Sequence, residues 1–508
     1  MLGCSAFAAQ AATDLSSGNP IVVGYFGQWG VYDHFFVKNL LISGAAAQLD
    51  QINYSQGSVT GARCNIADPN ADLNLAFTAE DSVNGIADNK ASAFRGDLHQ
   101  LAELKKRYPQ LKILISLEGK ASDFAIAAQP ENRSAFVASC IDRFIRGHFA
   151  PGAEDANLFD GIDLDWEYPH AEDAANFLEL LTQLREAMNE VRPGLRLSVA
   201  VGPSPRMYAG VNMTALSHIV DQVGIMNYDY TGPWNHTTGF LAPLHATNGG
   251  SVENSILAYL NAGVPAHQML MGIPFYGYGW EQVSSTGHGL FQPGQAIHGD
   301  RPYSLIETLA SASHTDGPPP ANAPAAANPD AATDHAAAKA VPFTVYRDPE
   351  SHAPWLYDGN TFWTYDDPVS IRFKVGFAVE QRLGGVMAWE LSEDSADAAL
   401  VKAVRASFAQ QRADADQNFT LPAGSAAAIT ARKWQPLSQN DSCTLVPAAT
   451  IRVSSTGSSA ESDHLHRTRH VPPPHRIAGT HRPHRMVRIF SYFFFLLPNL
   501  GSSDSVAG

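Results

Sequence analysis

Cysteine is scarce in this chain of 508 residues: Cys4, Cys64, Cys140 and Cys443 are all there is, and no two form a C-x-x-C pair. That spacing argues against a zinc site. It leaves disulfides and buried free thiols both open. Basic residues are also in short supply, 34 against 50 acids, for a formal net charge of −16. Nucleic acid and anionic membrane are therefore excluded as main partners. No run of eighteen apolar residues occurs, so no segment is expected to span a bilayer. No Gly-rich fingerprint follows the first strand-like run, which weighs against a dinucleotide-binding open sheet. Charged residues make up only 17% and apolar ones 45%, so a large core is available and global disorder is not expected.

What the sequence does contain is a rhythm. Strand-like apolar runs recur at 21–26 (IVVGYF), 51–55 (QINYS), 112–117 (KILISL), 159–168 (FDGIDLDWEY), 195–202 (LRLSVAVG), 222–228 (QVGIMNY), 269–277 (MLMGIPFYG) and 384–391 (GGVMAWEL). Helical patterns lie between most of them, such as AANFLELLTQLREAMNEV, with Phe177, Leu180, Leu181, Leu184 and Met188 on one face. Strands alternating with helices predict an α/β fold with a parallel sheet, and eight strands predict a closed (β/α)8 TIM barrel. A doubly wound open sheet is the alternative.

Two intervals break the rhythm. Residues 281–383 separate the seventh and eighth strands and contain FTVYRDPESHAPWLYDGNTFWTYDDP, which reads as an α+β insertion. Its Ala/Pro/Asp-rich stretch, 312–342, reads as a solvated loop. The expected organisation is a leader at 1–18, barrel at 19–280, insertion at 281–383, closing strand and last helix at 384–412, and a disordered tail at 413–508. The leader reads either as a shortened export signal or as an unstructured Ala-rich segment. The His-rich tail has no spacing that builds a tetrahedral metal site, and its apolar end is too short to span a bilayer. Trp434 is its one candidate relic of a carbohydrate-binding module.

The fourth run carries four acids, Asp160, Asp163, Asp165 and Glu167. Side chains alternate along a strand, so Asp163, Asp165 and Glu167 share one face, and Ile162, Leu164 and Trp166 share the other. In a barrel the apolar set packs outward on the helices and the acidic set points inward, toward the C-terminal mouth where barrel enzymes keep their catalytic groups. Three neighbouring carboxyls in a partly dry interior repel one another. At least one is then held protonated, as a general acid must be. A Mg²⁺ or Ca²⁺ site is the competing reading, but no second cluster closes it. Asp160 has the opposite parity and reads as structural, bonded to backbone or to Ser116. Ordinary retaining glycosidases flank the sugar with two carboxyls about 5–5.5 Å apart. Here Asp165 and Glu167 rise from one strand, on one side, so a sugar substrate would have to supply its own nucleophile through a 2-acetamido oxygen.

These residues resemble the D-x-x-D-x-D-x-E signature of the family 18 glycoside hydrolases, the chitinases. The resemblance covers about 19–408 and includes GYFGQW, ISLEG, MNYDYTGPW, GIPFYGYGW, YDGNTFWTYDDPVSI and GGVMAWELSED, in order. It looks most like the secreted, bacterial-type enzymes with a long groove. It implies endo-type hydrolysis of β-1,4 bonds in chitin or chito-oligosaccharides with retention, with no cofactor or metal. Glu167 would be the general acid, Asp165 would orient the acetamido group, and Asp163 would share a proton or hydrogen bond with Asp165. Tyr228 would hold the acetamido carbonyl, with Met226 and Asp229 shaping the same subsite. Trp389 would form the floor under the sugar, Tyr25 its base, and Trp234 a stacking platform. Asp160, Ser116 and Gly119 belong to the motif as structural members. Export is implied, with monomer as the working oligomeric state.

This sequence departs from the family pattern at Glu118 (usually Gly), Lys120 (usually Trp), Gln56 (often Phe) and Tyr278 (often Arg). All four are expected at the upper rim of the groove, where they would alter affinity rather than abolish turnover. Two rivals remain: a chitin-binding lectin on the same scaffold, disfavoured because Glu167 is present, and an endo-acting hydrolase of N-glycan cores.

Overall fold

The computed structural model describes residues 19–246, 249–312 and 342–419. The expected leader, almost all of the low-complexity loop, Cys4, Cys443, Trp434 and the tail beyond 419 lie outside the described residues.

Eight parallel strands close a barrel. They are β1 (Ile21–Gly27), β2 (Gln51–Thr60), β3 (Lys112–Glu118), β4 (Gly161–Leu164), β5 (Arg196–Val201), β6 (Gln222–Ile225), β7 (Met269–Pro274) and β8 (Gly385–Trp389). Each pairs with the next in sequence, and β1 pairs with both β2 and β8, so the sheet has no open edge within the barrel. Both faces of such strands are covered, which is why they read as continuous apolar runs. Val22 and Phe26 of β1 point out into the core shared with the helices, while Val23 and Tyr25 point in. The helix Ala174–Val191 seals the outer face with Phe177, Leu180, Leu181, Leu184 and Met188, all buried as their spacing predicts. Trp166 is also on the outer face: its ring stacks on Phe124 at 5.4 Å and meets Phe177 edge-on at 5.6 Å.

Between β7 and β8 an antiparallel sheet is built from Tyr276–Glu281, Phe362–Thr364, Pro354–Tyr357 and Thr344–Arg347, flanked by the helix Tyr303–Ala312. Its first strand starts at Tyr276, immediately after β7 and ahead of residue 281. The helix Pro368–Glu380 then leads back to β8. Asp367 caps it, accepting from the Val369 and Ser370 amides at 3.0 and 2.8 Å, and Pro368 opens its first turn. The last helix, Ala399–Phe419, runs past the expected boundary at 412. No helix among the described residues is long and apolar enough to cross a membrane.

Cys64 and Cys140, whose pairing the sequence leaves open, form a disulfide. It ties the short strand Arg63–Ile66, which follows β2, to the end of the helix Pro130–Cys140. Closing a loop of 76 residues removes unfolded-state entropy worth on the order of 4 kcal/mol.

A second pair of acids is hidden behind β2. Asp72 and Asp97 are 1% and 0% exposed. The Tyr54 hydroxyl donates to Asp72. Both Asp97 carboxyl oxygens are buried with no donor among the described residues within hydrogen-bond geometry. Gly96 makes the close approach possible: its φ is +72°, and a Cβ there would lie 2.4 Å from the Asp72 carbonyl carbon. Burial pushes the Asp72 carboxyl up to about 8. Burial, then the neighbouring Asp72, pushes Asp97 up as well. Because both folded values lie above the ordinary carboxylate range, the stability that depends on the neutral forms is complete below about pH 4 and is lost as pH rises through 8. Asp97→Asn removes one of the two ionisations. It is expected to flatten the fall in melting temperature between pH 5 and pH 9, so that the variant gains on wild type as pH rises. Parallel melting curves for variant and wild type across that range would contradict this.

Candidate active site

Asp163 is the innermost carboxyl. The parallel register sets it beside Ser116 of β3 and Ser198 of β5. The Ser116 hydroxyl donates to Asp163 Oδ2 at 2.9 Å, and the Tyr25 hydroxyl, from β1, donates to the same oxygen at 2.8 Å. Burial raises the Asp163 carboxyl above its ordinary range, against the lowering influence of Ser198, Tyr25, Ser116 and Asn53. The Tyr25 phenol is pushed well above its usual value, first by burial and then by the charges of Asp163 and Asp165.

Asp165 and Glu167 sit just past the end of β4 rather than within it. The strand ends at Leu164, and the Asp165 amide still donates to the Leu117 carbonyl at 3.0 Å. Asp163 is 0% and Asp165 4% exposed, and Glu167 is half-buried, so the trio climbs from interior to opening. Tyr208 feels the charges of both outer carboxyls. Its buried phenol is raised by burial, then by Tyr259 and by the charges of Asp165 and Glu167. Sequence patterns do not single out Tyr208, which lies in a short 3₁₀ turn that carries no motif.

Aromatic side chains surround the carboxyls. The Tyr25 and Trp389 rings are 5.3 Å apart. Met226 and Tyr228 are buried just beyond β6, and Tyr228 meets Tyr276 edge-on at 6.0 Å. The Tyr276 hydroxyl donates to Asp229 Oδ1 at 2.6 Å. Asp229 has a φ of +63°, a left-handed geometry that Asp tolerates better than most residues. Trp234 is half-buried against Tyr278 at 5.5 Å. Tyr25, Met226, Tyr228, Trp234 and Trp389 all belong to one apolar cluster, separate from the core under the helices.

The remaining motif residues lie apart from the mouth or below it. Asp160 does not meet Ser116. It precedes β4 at the opposite end of the barrel, where its Oδ2 accepts from the Ile113 amide at 2.9 Å and pairs with Lys105. Ser116 is instead in register with Asp163, which takes its hydroxyl. Gly119 is required by close packing, since a Cβ there would lie 2.8 Å from the Val59 carbonyl oxygen. Of the four departures from the family pattern, Glu118 accepts from the Ser55 hydroxyl, Lys120 is exposed and Gln56 is half-buried. Tyr278 is 6% exposed and packs between Trp234 and Tyr276.

Residues 21–394 match glycosyl hydrolases family 18. Chitinase C of Streptomyces lividans is 31% identical over 401 residues, which cover 75% of this chain and 58% of that protein. Chitinase 63 of Streptomyces plicatus is 31% identical over 407 residues, 76% of this chain and 60% of that protein. The chain thus spans about three-fifths of the length of these relatives. Among solved structures, the catalytic domain of the psychrophilic chitinase B from Arthrobacter TAD20 superposes with a TM-score of 0.66 at 28% identity, over 78% of this chain and 97% of that one. A chitinase from Bacillus thuringiensis gives 0.62 at 25% identity, over 77% and 70%.

The hydrogen bonds on Asp163 generate a test that needs no substrate. Tyr25→Phe removes a donor that favours the ionised carboxylate. The Asp163 titration, followed by carboxyl infrared or carbon NMR, is expected to move upward, because the Tyr25 hydroxyl favours the charged form. An unchanged or lowered midpoint would contradict the geometry.

Proposed function

The chain belongs to glycosyl hydrolase family 18, and from that premise we propose that it hydrolyses β-1,4-N-acetylglucosamine linkages in chitin or chito-oligosaccharides with retention of configuration. The observation that carries the reading is the graded trio. Asp163 is buried and hydrogen-bonded inside the barrel, Asp165 is nearly buried and Glu167 half-buried, three alternate residues carried by one segment of chain. A one-sided arrangement lacks a protein nucleophile on the far face of the sugar, which favours attack by the substrate's own acetamido oxygen.

In this mechanism Glu167 protonates the glycosidic oxygen as the bond to C1 breaks. The acetamido carbonyl oxygen bonds to C1 from the opposite face, and the leaving sugar departs with the proton. Asp165 accepts a hydrogen bond from the acetamido N–H and stabilises the positive oxazolinium. Asp163, held by Tyr25 and Ser116, takes a share of the proton between the two aspartates and so tunes Asp165. The Tyr228 hydroxyl donates to the acetamido oxygen, with Met226 and Asp229 shaping the pocket around it. Glu167, now ionised, removes a proton from water, which opens the ring at C1 and restores the starting configuration. Trp389 forms the floor beneath the distorted sugar, Tyr25 its base, and Trp234 a platform for the neighbouring ring.

The aromatic walls favour a polymer of acetylated sugars, and the curated relatives carry the name chitinase. The Cys64–Cys140 disulfide supports an exported protein, since such bonds persist in oxidising compartments.

Glu167→Gln is expected to lower kcat on chitotetraose by at least about 10²–10⁴-fold, the range for loss of a general acid–base. Kd for the same oligosaccharide, measured by calorimetry, should remain within a few-fold. Hydrolysis by that variant at the wild-type rate would rule out Glu167 as the acid.

A further inference from the structure

We propose that Glu390 is a positioning residue that holds Trp389 in place through Trp29; the proposal rests on the glycosidase reading, in which Trp389 is the sugar floor. Glu390 follows β8 directly and is 3% exposed. Its Oε1 accepts from the Trp29 indole N–H at 3.0 Å and from the Ser392 hydroxyl at 2.9 Å. Trp29 stands just past the end of β1, with its ring 6.1 Å from the Trp389 ring. Trp389 therefore meets Tyr25 on one side and Trp29 on another. Its backbone is held separately, where the Trp389 carbonyl accepts from the Phe275 amide at 2.7 Å.

An indole has a single donor, so the acceptor at its N–H sets the direction of the whole ring. Here that acceptor is carried by the residue next to the ring being buttressed. Floor, buttress and anchor thus form one closed local unit. Gly27 shows how tightly it is assembled: a Cβ there would lie 2.3 Å from the Trp29 ring and 2.7 Å from Glu390 Oε2. Only glycine at that point of β1 lets the indole and the carboxyl occupy the same corner. Placing a carboxyl out of water costs free energy, and the bond from Trp29 returns part of it while fixing the direction of the indole. Without that bond Trp29 turns, Trp389 loses the ring contact that Trp29 supplies, and the floor no longer meets the sugar at a fixed tilt.

The test compares Glu390→Gln, which keeps an Oε1 acceptor, with Glu390→Ala, which removes it, and Trp29→Phe, which removes the donor but keeps a ring. On chitotetraose, Glu390→Gln is expected to stay within about 2-fold of wild-type kcat/KM. Glu390→Ala and Trp29→Phe should each lose about 5–20-fold, the worth of one buried hydrogen bond. The double variant Glu390→Ala/Trp29→Phe should be no worse than the weaker single, because both remove the same contact. Near-ultraviolet circular dichroism of the unliganded protein supplies a readout free of catalysis: the tryptophan signal should match wild type in Glu390→Gln and weaken in Glu390→Ala. Glu390→Gln as impaired as Glu390→Ala, additive losses in the double variant, or identical dichroism in wild type, Glu390→Gln and Glu390→Ala would overturn the proposal. If the wild type fails to cleave chitotetraose, the glycosidase reading falls while the dichroism comparison still decides whether the lock exists. Should Glu390→Ala not fold, Trp29→Phe tests the same bond from its other end.

Discussion

The mouth of this barrel depends on keeping one carboxyl, that of Asp163, in the dry interior. Moving an ionised carboxylate out of water costs several kcal/mol. Hydrogen bonds to a charged group return roughly 1.5–3 kcal/mol each. The bonds from Tyr25 and Ser116 offset much of that cost but not all of it, and the balance emerges as an upward shift of the carboxyl. The two donors come from β1 and β3, so the hydrogen bonds exist only if the closed sheet holds its register. Barrel closure and the chemistry at its mouth are therefore one constraint.

Around that carboxyl the fold separates two kinds of packing. Apolar residues of one strand parity fill the layer beneath the helices, while the other parity supplies the rings and the methionine that line the opening. The sheet inserted between β7 and β8 begins with Tyr276–Glu281, whose first tyrosine bonds Asp229 and whose second packs on Trp234. The insertion is thereby tied into the site and is more than an appended wall. The disulfide and the buried Asp72–Asp97 pair act elsewhere, on the segments between β2 and the helix Pro130–Cys140. They bear on persistence of the fold rather than on the reaction.

Much of this is legible in the amino-acid order alone. All eight barrel strands and the outward face of Trp166 follow from period-two alternation and apolar runs, because those signals are local. The contacts that are not legible are long-range. Ser116 reaches Asp163 rather than Asp160 because of strand register, which no single strand encodes. Cys64 and Cys140 are 76 residues apart with no spacing signature. Trp29 and Glu390 lie within recognisable motifs, yet their hydrogen bond joins opposite ends of the barrel's chain path. Asp97 looks like an ordinary acidic residue in the first turn of a helix, and only its packing against Asp72 makes it unusual. The insertion begins earlier than the sequence suggests because Tyr276–Glu281 continues the apolar character of β7 and changes only its partner.

The most direct measurement is proton NMR of freshly released product from chitotetraose, read before the anomers equilibrate. A substrate whose own acetamido oxygen performs the displacement must yield the β-anomer first. Initial release of the α-anomer would mean that water attacks directly across the ring, and the role assigned to the buried aspartate and its neighbours would be wrong.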